Sequence, residues 1–333
     1  MKALVFDLDR VARVKDISDP ALERDQVLIE VEAAGFCHTD LDILAGRYPA
    51  RLPRVPGHEF CGAVIDRGTE VDDVAIGVRV AVDPLIPCRE CRNCLRGHPN
   101  LCPQLRAYGA DIDGGMAQYA AVRARNVHPI GPLDPRLAAM SEPFACAMHA
   151  LQRAAPTSGS RAIVLGAGPM GMILGVAMSS LGLTDLTAVD LFEDRLARAR
   201  AFGFQRTVVA DDGLLQRIDE RGFDLVIDAT GRPEVVQDAV QLVADAGALL
   251  VFGVCPPGSS ITLDPHEIYA RELRIFGSFS LASTLPAAIT TLGASALPIV
   301  DLITDQYPIN EAVRALERIG AADTIKIQID PRM

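Results

Sequence analysis

The 333-residue chain has no basic run of any length, and its formal net charge is −11. Nucleic acid and anionic membranes both require clustered Lys and Arg, so the chain has neither as a main partner. A secretory leader is missing too: the first residues, Met1 to Phe6, reach Asp7 before any long apolar segment forms. No long apolar stretch runs uninterrupted. The most apolar one, residues 163–183, carries five glycines and a proline, which reads as core rather than a membrane span. Internal repeats and low-complexity tracts are also absent. These absences suit a protein of the reducing cytoplasm. Its eight cysteines are then thiols or metal ligands rather than disulfides.

What is present begins with 49% hydrophobic residues, enough to bury the cores of two ordinary domains. Residues 1–150 contain short apolar runs broken by Gly and Pro, such as Val27–Val31, Gly62–Ile65 and Arg79–Val82. That rhythm predicts a mainly β, partly barrel-like domain. Residues 151–285 alternate apolar strands with amphipathic helices. Strands are expected at Ala162–Leu165, Leu186–Val189, Thr207–Val209, Phe223–Ile227, Ala248–Phe252 and Leu273–Phe276. Helices are expected over Met170–Leu181, Glu193–Phe202 and Pro233–Ala244. Such alternation predicts a doubly wound parallel sheet. Residues 286–333 hold a helix (Ile309–Ile319) and a closing strand (Ile325–Ile329), and return to the first domain.

Four cysteines, Cys88, Cys91, Cys94 and Cys102, fall within fifteen residues. Four thiolates so close can form a closed tetrahedral shell around one structural zinc. Disulfides or free thiols are the alternative, and spaced pairs in an intracellular chain favour the metal.

Gly166-Ala167-Gly168-Pro169-Met170-Gly171 fits G-x-G-x-x-G directly after an apolar strand, the context that makes it a dinucleotide turn. A pyrophosphate would rest on the following helix N-terminus. Asp190 ends the next strand, where a carboxylate binds ribose hydroxyls and repels a 2′-phosphate, favouring NAD over NADP. Arg195 lies near the adenine or is a solvated helix residue. Thr230, Gly253, Val254, Ser278 and Phe279 follow later strands, at the edge a dinucleotide crosses.

A second set is spread along the first domain: Cys37, His58, Glu59 and Glu142. A thiolate, an imidazole and a carboxylate make an open three-ligand site of the catalytic type. Taken singly, each is a common residue, and a lone His in a β domain is more often a hydrogen-bonded core residue.

Together, Gly35-Phe36-Cys37-His38-Thr39-Asp40, Gly57-His58-Glu59, the cysteine quartet, Ser141-Glu142-Pro143 and Gly166–Gly171 resemble a zinc-dependent medium-chain alcohol/polyol dehydrogenase. The resemblance spans essentially the whole chain and is nearest to the sorbitol/threonine dehydrogenase branch. It implies a GroES-like β domain with a Rossmann domain, two zinc ions per chain (one catalytic, one structural), and a homodimer or homotetramer. It also implies that Glu142 or Glu59 is the carboxylate ligand, and that the two may exchange. Thr39 would accept the substrate proton and His38 would pass it on, unless His38 contacts a phosphate or only solvent. Asp40 would orient the loop or the metal ligands from behind. The reaction implied is reversible hydride transfer from a secondary alcohol to NAD. An amino-alcohol or primary-alcohol substrate is the alternative within the family. A zinc-free reductase would lack Cys37, His58 and the quartet, and a zinc-cluster binding module would lack the dinucleotide turn. Sorbitol dehydrogenases carry an arginine and a tyrosine where this chain has Ser280 and Leu281, and an aromatic where it has Ile43. The expected pocket therefore has fewer donors than a hexitol site.

Overall fold

The computed structural model describes residues 1–211, 218, 222–321 and 323–333. Two compact units emerge. The first comprises Met1–Ala145, Ala282–Ala294 and Ile299–Met333; the second comprises Cys146–Leu281 and Ser295–Pro298. Joins were expected near residues 150 and 285. The units part earlier, inside the helix Ser141–Ala154 and after Leu281.

In the first unit the chain opens with a hairpin, β1 (Lys2–Phe6) and β2 (Ala12–Asp16). The long strand β3 (Gln26–Gly35) leads into the short helix α1 (His38–Leu44). Then come β4 (Glu59–Arg67), β5 (Arg79–Val82) and β6 (Leu85–Ile86). They are followed by α2 (Arg92–Leu95), β7 (Arg106–Ala107), β8 (Tyr119–Arg123), β9 (Val127–Pro129) and α3 (Pro135–Ala139). Helix α4 is Ser141–Ala154.

The second unit is a six-stranded parallel sheet. Its elements are β10 (Arg161–Leu165), α5 (Pro169–Ser180), β11 (Asp185–Asp190), α6 (Glu193–Ala199), β12 (Arg206–Val209) and β13 (Phe223–Asp228). They continue with α7 (Pro233–Ala239), β14 (Val243–Val251), α8 (Pro265–Ala270) and β15 (Arg274–Gly277). The order β12-β11-β10-β13-β14-β15 reverses direction between β10 and β13. That is the Rossmann order, and ligands bind outside the strand ends at the reversal. The middles of the central strands are apolar, as expected when helices cover both faces. Ala162, Ile163, Val164, Val226, Leu249 and Leu250 are all fully buried.

The chain closes with α9 (Leu285–Ala294), β16 (Ile303–Pro308), α10 (Ala312–Glu317) and β17 (Lys326–Asp330). Strands β16 and β17 join the sheet of the first unit, ordered β16-β17-β3-β4-β5-β9, with β8 also on β3. Two helices are shorter than the sequence pattern implied. The one expected over Pro233–Ala244 ends at Ala239, tightens into a 3₁₀ turn, and becomes strand at Val243, which pairs with Phe223. The one expected over Ile309–Ile319 starts as a 3₁₀ turn and is α-helical only over Ala312–Glu317. Among the described residues no helix is long and apolar enough to cross a membrane.

Between β5 and β6, Asp83 accepts a hydrogen bond from the Leu85 N–H at 2.9 Å. Burial pushes its carboxyl up to about 6, against the pull of that N–H and of Arg89. The folded chain thus holds this proton more tightly than the unfolded one. The stabilisation is complete below about pH 4 and is lost as pH rises through about 6. Asp83→Asn keeps an oxygen for Leu85 and removes the titration. It is expected to raise stability at pH 8 by up to about 3 kcal/mol and to leave it nearly unchanged at pH 4, as read by thermal melting at the two pH values.

Candidate active site

The register of three strands builds the first-unit site. At the end of β3, Gly35 stands opposite Glu59 of β4 on one side and Gln328 of β17 on the other. The Phe36 N–H donates to the Ile327 carbonyl at 3.0 Å. Two residues past Gly35 the chain reaches Cys37, which caps α1. Residues distant in sequence therefore converge: Cys37, His58 and Glu59 place one ligating atom each within 4.8 Å of one another.

Each member is held from behind. Asp40 is fully buried and accepts the Cys37 N–H at 2.9 Å. Its other oxygen, buried and without a hydrogen-bond partner, faces His58 Nδ1 at 4.0 Å. Burial raises the Asp40 carboxyl, while the His58 charge opposes that shift. For His58, burial works against the imidazolium, but the bond to Cys37 and the charges of Cys37, Asp40 and Glu142 outweigh it. The result is raised well above the ordinary histidine range. Such a concentration of anionic donors is what a divalent cation neutralises. The Thr39 hydroxyl lies 3.5 Å from Cys37 Sγ. The His38 side chain is 73% exposed and lies 4.0 Å from Asp42.

Glu142, nearly buried in the first turn of α4, falls outside the three-atom cluster, yet its charge acts on His58, Tyr48 and Lys326. Two residues that sequence reasoning missed belong here. Tyr48 is held above the ordinary phenol range by burial and then by Asp111, Cys37 and Glu142. Lys326 is buried against Glu59, its Nζ 2.5 Å from either carboxylate oxygen. Nothing in their local sequence marks either one; only strand register and the loop after α1 bring them in.

The cysteine quartet forms a lobe closed at its neck by the β6–β7 ladder. Its sulfurs lie 3.5–4.0 Å apart along four of their edges. Tetrahedral bonds of about 2.3 Å to zinc set edges of about 3.8 Å. Backbone N–H groups of Cys88, Cys91 and Gln104 point at Cys102 or Cys88 sulfur. Bonds from Glu90 and Cys91 lower the Cys88 thiol to about 7. None of the eight cysteines is in a disulfide. Leu95 and Leu101 of the lobe are exposed, so apolar packing does little to hold it and the sulfurs are its core.

In the second unit, the glycine run forms the turn from β10 into α5. Only a bare Cα fits at Gly171, where a Cβ would lie on the Gly166 carbonyl. At Gly168 the space is open, as a phosphate cradle at a helix start requires. Pro169 and Met170 open α5. Asp190 Oδ2 accepts the Ala167 N–H at 2.8 Å and Oδ1 the Phe192 N–H at 3.0 Å. Arg195 lies 3.8 Å from Asp190 and stacks over Phe192. Beyond β13 and β14, the turns holding Thr230 and Gly253 abut. Both are tied to Asp228, a fully buried acid that sequence reasoning missed. Its carboxylate accepts from Thr230 and Gly231, and its backbone carbonyl accepts from Phe252 and Gly253. Val254 and Phe279 are exposed, while Ser278 is half-buried.

The pocket residues divide. Ser280 is half-buried with φ +56°. Ile43 and Leu281 are buried.

Residues 23–132 match the alcohol dehydrogenase GroES-like domain family, and residues 169–294 match the zinc-binding dehydrogenase family. D-altritol 5-dehydrogenase of Agrobacterium fabrum is 39% identical over 316 residues, covering 93% of this chain and 94% of that protein. The chain belongs to the zinc-dependent medium-chain alcohol/polyol dehydrogenase family. D-arabinitol dehydrogenase 1 of Uromyces fabae is 32% identical to this dehydrogenase, covering 99% and 97% of the two chains. A candidate zinc-binding dehydrogenase from Sinorhizobium meliloti 1021, solved bound to NADP, matches it with a TM-score of 0.96 at 32% identity over 99% of both chains.

Replacing Cys37 by Ser or His58 by Ala is expected to empty one metal site and abolish turnover while the far-ultraviolet spectrum and the quartet's metal persist. Metal analysis beside a turnover assay checks this. Full turnover in either variant would remove these residues from the site.

Proposed function

We propose that this dehydrogenase oxidises a secondary alcohol, a polyol or diol, to a ketone with NAD as hydride acceptor, reversibly, and carries two zinc ions per chain. The observation that carries the reading is the cluster of Cys37, His58 and Glu59 in a chain that also carries the dinucleotide turn. Thiol, imidazole and carboxylate suit zinc. When bound, zinc supplies Lewis acidity toward the substrate hydroxyl, and the dinucleotide supplies the hydride acceptor.

The chain's own residues do the rest. Cys37, His58 and a carboxylate, Glu142 or Glu59, hold the metal, and Asp40 orients the imidazole. Thr39 receives the proton of the substrate hydroxyl and passes it on, since a threonine hydroxyl is not itself basic. His38, open to solvent, is a fitting last member of that path. Each turnover moves one hydride to the nicotinamide and one proton to water. Gly166, Gly168 and Gly171 cradle the pyrophosphate. Thr230, Gly253, Val254, Ser278 and Phe279 line the cofactor's further course.

The preference for NAD rests on Asp190. Its buried carboxylate is fixed by two backbone N–H groups, and the nearby Arg195 already faces it. A 2′-phosphate would meet the carboxylate, and the cation beside it, Arg195, is already turned to Asp190. The names of the altritol and arabinitol relatives support a polyol. Altritol is a hexitol and arabinitol a pentitol, and the absence of arginine and tyrosine at Ser280 and Leu281 leaves fewer side-chain donors for either than sorbitol dehydrogenases have. Eight cysteines outside any disulfide suit a reducing cytoplasm. The edge strand β15, with Ile275 and Phe276 half-buried, suits a homo-oligomer joined through its sheets.

A panel of polyols, short diols, cyclic and other secondary alcohols, assayed with NAD and with NADP, tests this. NAD-dependent oxidation of secondary alcohols is expected, and no oxidation of any would sink the reading. A large preference for hexitols would overturn the reduced-polarity pocket. In the same assay Asp190→Ala is expected to raise the KM for NAD about tenfold or more and to narrow the gap to NADP. An unchanged ratio would remove Asp190 as the selector.

A further inference from the structure

His58 has a regular strand on one side only. Glu59 after it pairs with Gly35. Residues 45–58 before it form no helix and no strand, apart from a single bridge between Arg54 and Phe6 of β1. What holds this stretch is the loop of residues 109–116, which follows β7. The Gly114 N–H donates to the Val55 carbonyl at 2.8 Å, the Met116 N–H to Pro56 at 3.0 Å and the Gly115 N–H to Gly57 at 2.9 Å. The Arg51 N–H donates in return to the Ala110 carbonyl at 3.1 Å. The two backbones touch with no side chain between them. A Cβ on Gly114 would lie on the Gly57 carbonyl oxygen, and one on Gly109 would come within 2.9 Å of the Gly57 carbonyl carbon.

One side chain completes the seam. Asp113 Oδ1 accepts the Val55 N–H at 3.0 Å and Arg54 Nη1 at 2.8 Å. Val55 is buried, and among the described residues this carboxylate is the acceptor its N–H has. Pro56, next in line, has no N–H to take its place. The Asp113 side chain is 59% exposed, so solvent screens its pair with Arg54. The bond to a buried N–H has no such substitute.

We propose, on the reading of Cys37 and His58 as metal ligands, that Asp113 is a positioning residue for His58: it fastens the segment from Arg54 to Gly57 to the 109–116 loop and so fixes the backbone from which the imidazole projects. Without it a buried N–H loses its acceptor, the segment shifts, and the His58 backbone is held from β4 alone. Loss of support behind a metal ligand weakens metal binding or activity by about 10–100-fold.

The test follows metal release from the full zinc-loaded chain to a colorimetric chelator. The phase that Cys37→Ser abolishes reports the His58 site, and the remaining phase reports the quartet. Asp113→Ala is expected to speed the first phase about tenfold, to leave the quartet's phase unchanged, and to lower kcat with little change in KM. Asp113→Asn keeps an oxygen for Val55 and removes the charge, and is expected to return the native rate. Asp264→Ala removes a comparable carboxylate at the start of α8, where it accepts the His266 N–H. It is expected to lower the melting temperature and leave release unchanged. Native release from a folded Asp113→Ala chain would overturn the proposal. So would an Asp113→Asn chain as fast as Asp113→Ala, since the charge and not the bond to Val55 would then matter. An Asp264→Ala chain that releases the site's metal as fast would overturn it too, since general loosening would then suffice. If Asp113→Ala does not fold, Asp113→Glu, which sets the acceptor one methylene away, is read by the same criterion. A native chain with no release phase beyond the quartet's sinks the reading of Cys37 and His58 as ligands, whatever Asp113 does.

Discussion

Three strands meet where β3 ends, and Gly35 has no side chain there. Because it is bare, the Glu59 carboxylate can occupy the space a Cβ would take, with Lys326 Cε close beside it. The pairing of Gly35 with Glu59 and with Gln328 fixes the rest of the site. His58 precedes the paired residue on β4, Cys37 follows two residues beyond Gly35, and Lys326 lies two residues before Gln328. A slip of one residue in either ladder would turn these side chains to the opposite face of the sheet. The chemistry of the first unit is thus a consequence of register, and the buried ion pair helps hold that register, because neither partner can be left alone in the interior.

The second unit applies a related device. Asp190 and Asp228 end parallel strands, and each turns its carboxylate back onto backbone N–H groups of the adjoining loops. A carboxylate that accepts such bonds is held in one orientation. Asp228 thereby stiffens the two turns beyond β13 and β14, beside the point where strand order reverses. Acids that look like solvent-facing residues in the sequence act here as framework.

Periodicity in the sequence carried much of the fold. Apolar strands alternating with amphipathic helices foretold the parallel sheet, because both patterns are local. Helix ends were less legible. The helix begun at Pro233 stops at Ala239 because Val243 is drawn into pairing with Phe223, a residue twenty positions earlier. The ligand candidates were visible as residue types in recognisable short motifs. Lys326 was not, since a lone lysine in a closing strand carries no local signal. Nor was the burial of Ile43 and Leu281, which depends on what packs over them.

The sequence by itself determined the family, through cysteine spacing and a glycine turn whose chemistry is local: four sulfurs close in sequence are close in space, and three glycines make one tight turn. Only the tertiary structure decided which partner Glu59 meets. That choice depends on strands from both ends of the chain meeting at Gly35, where a lysine 267 positions from Glu59 becomes its nearest partner. The interaction is electrostatic and short-ranged, and it exists only when folding has excluded water from around it.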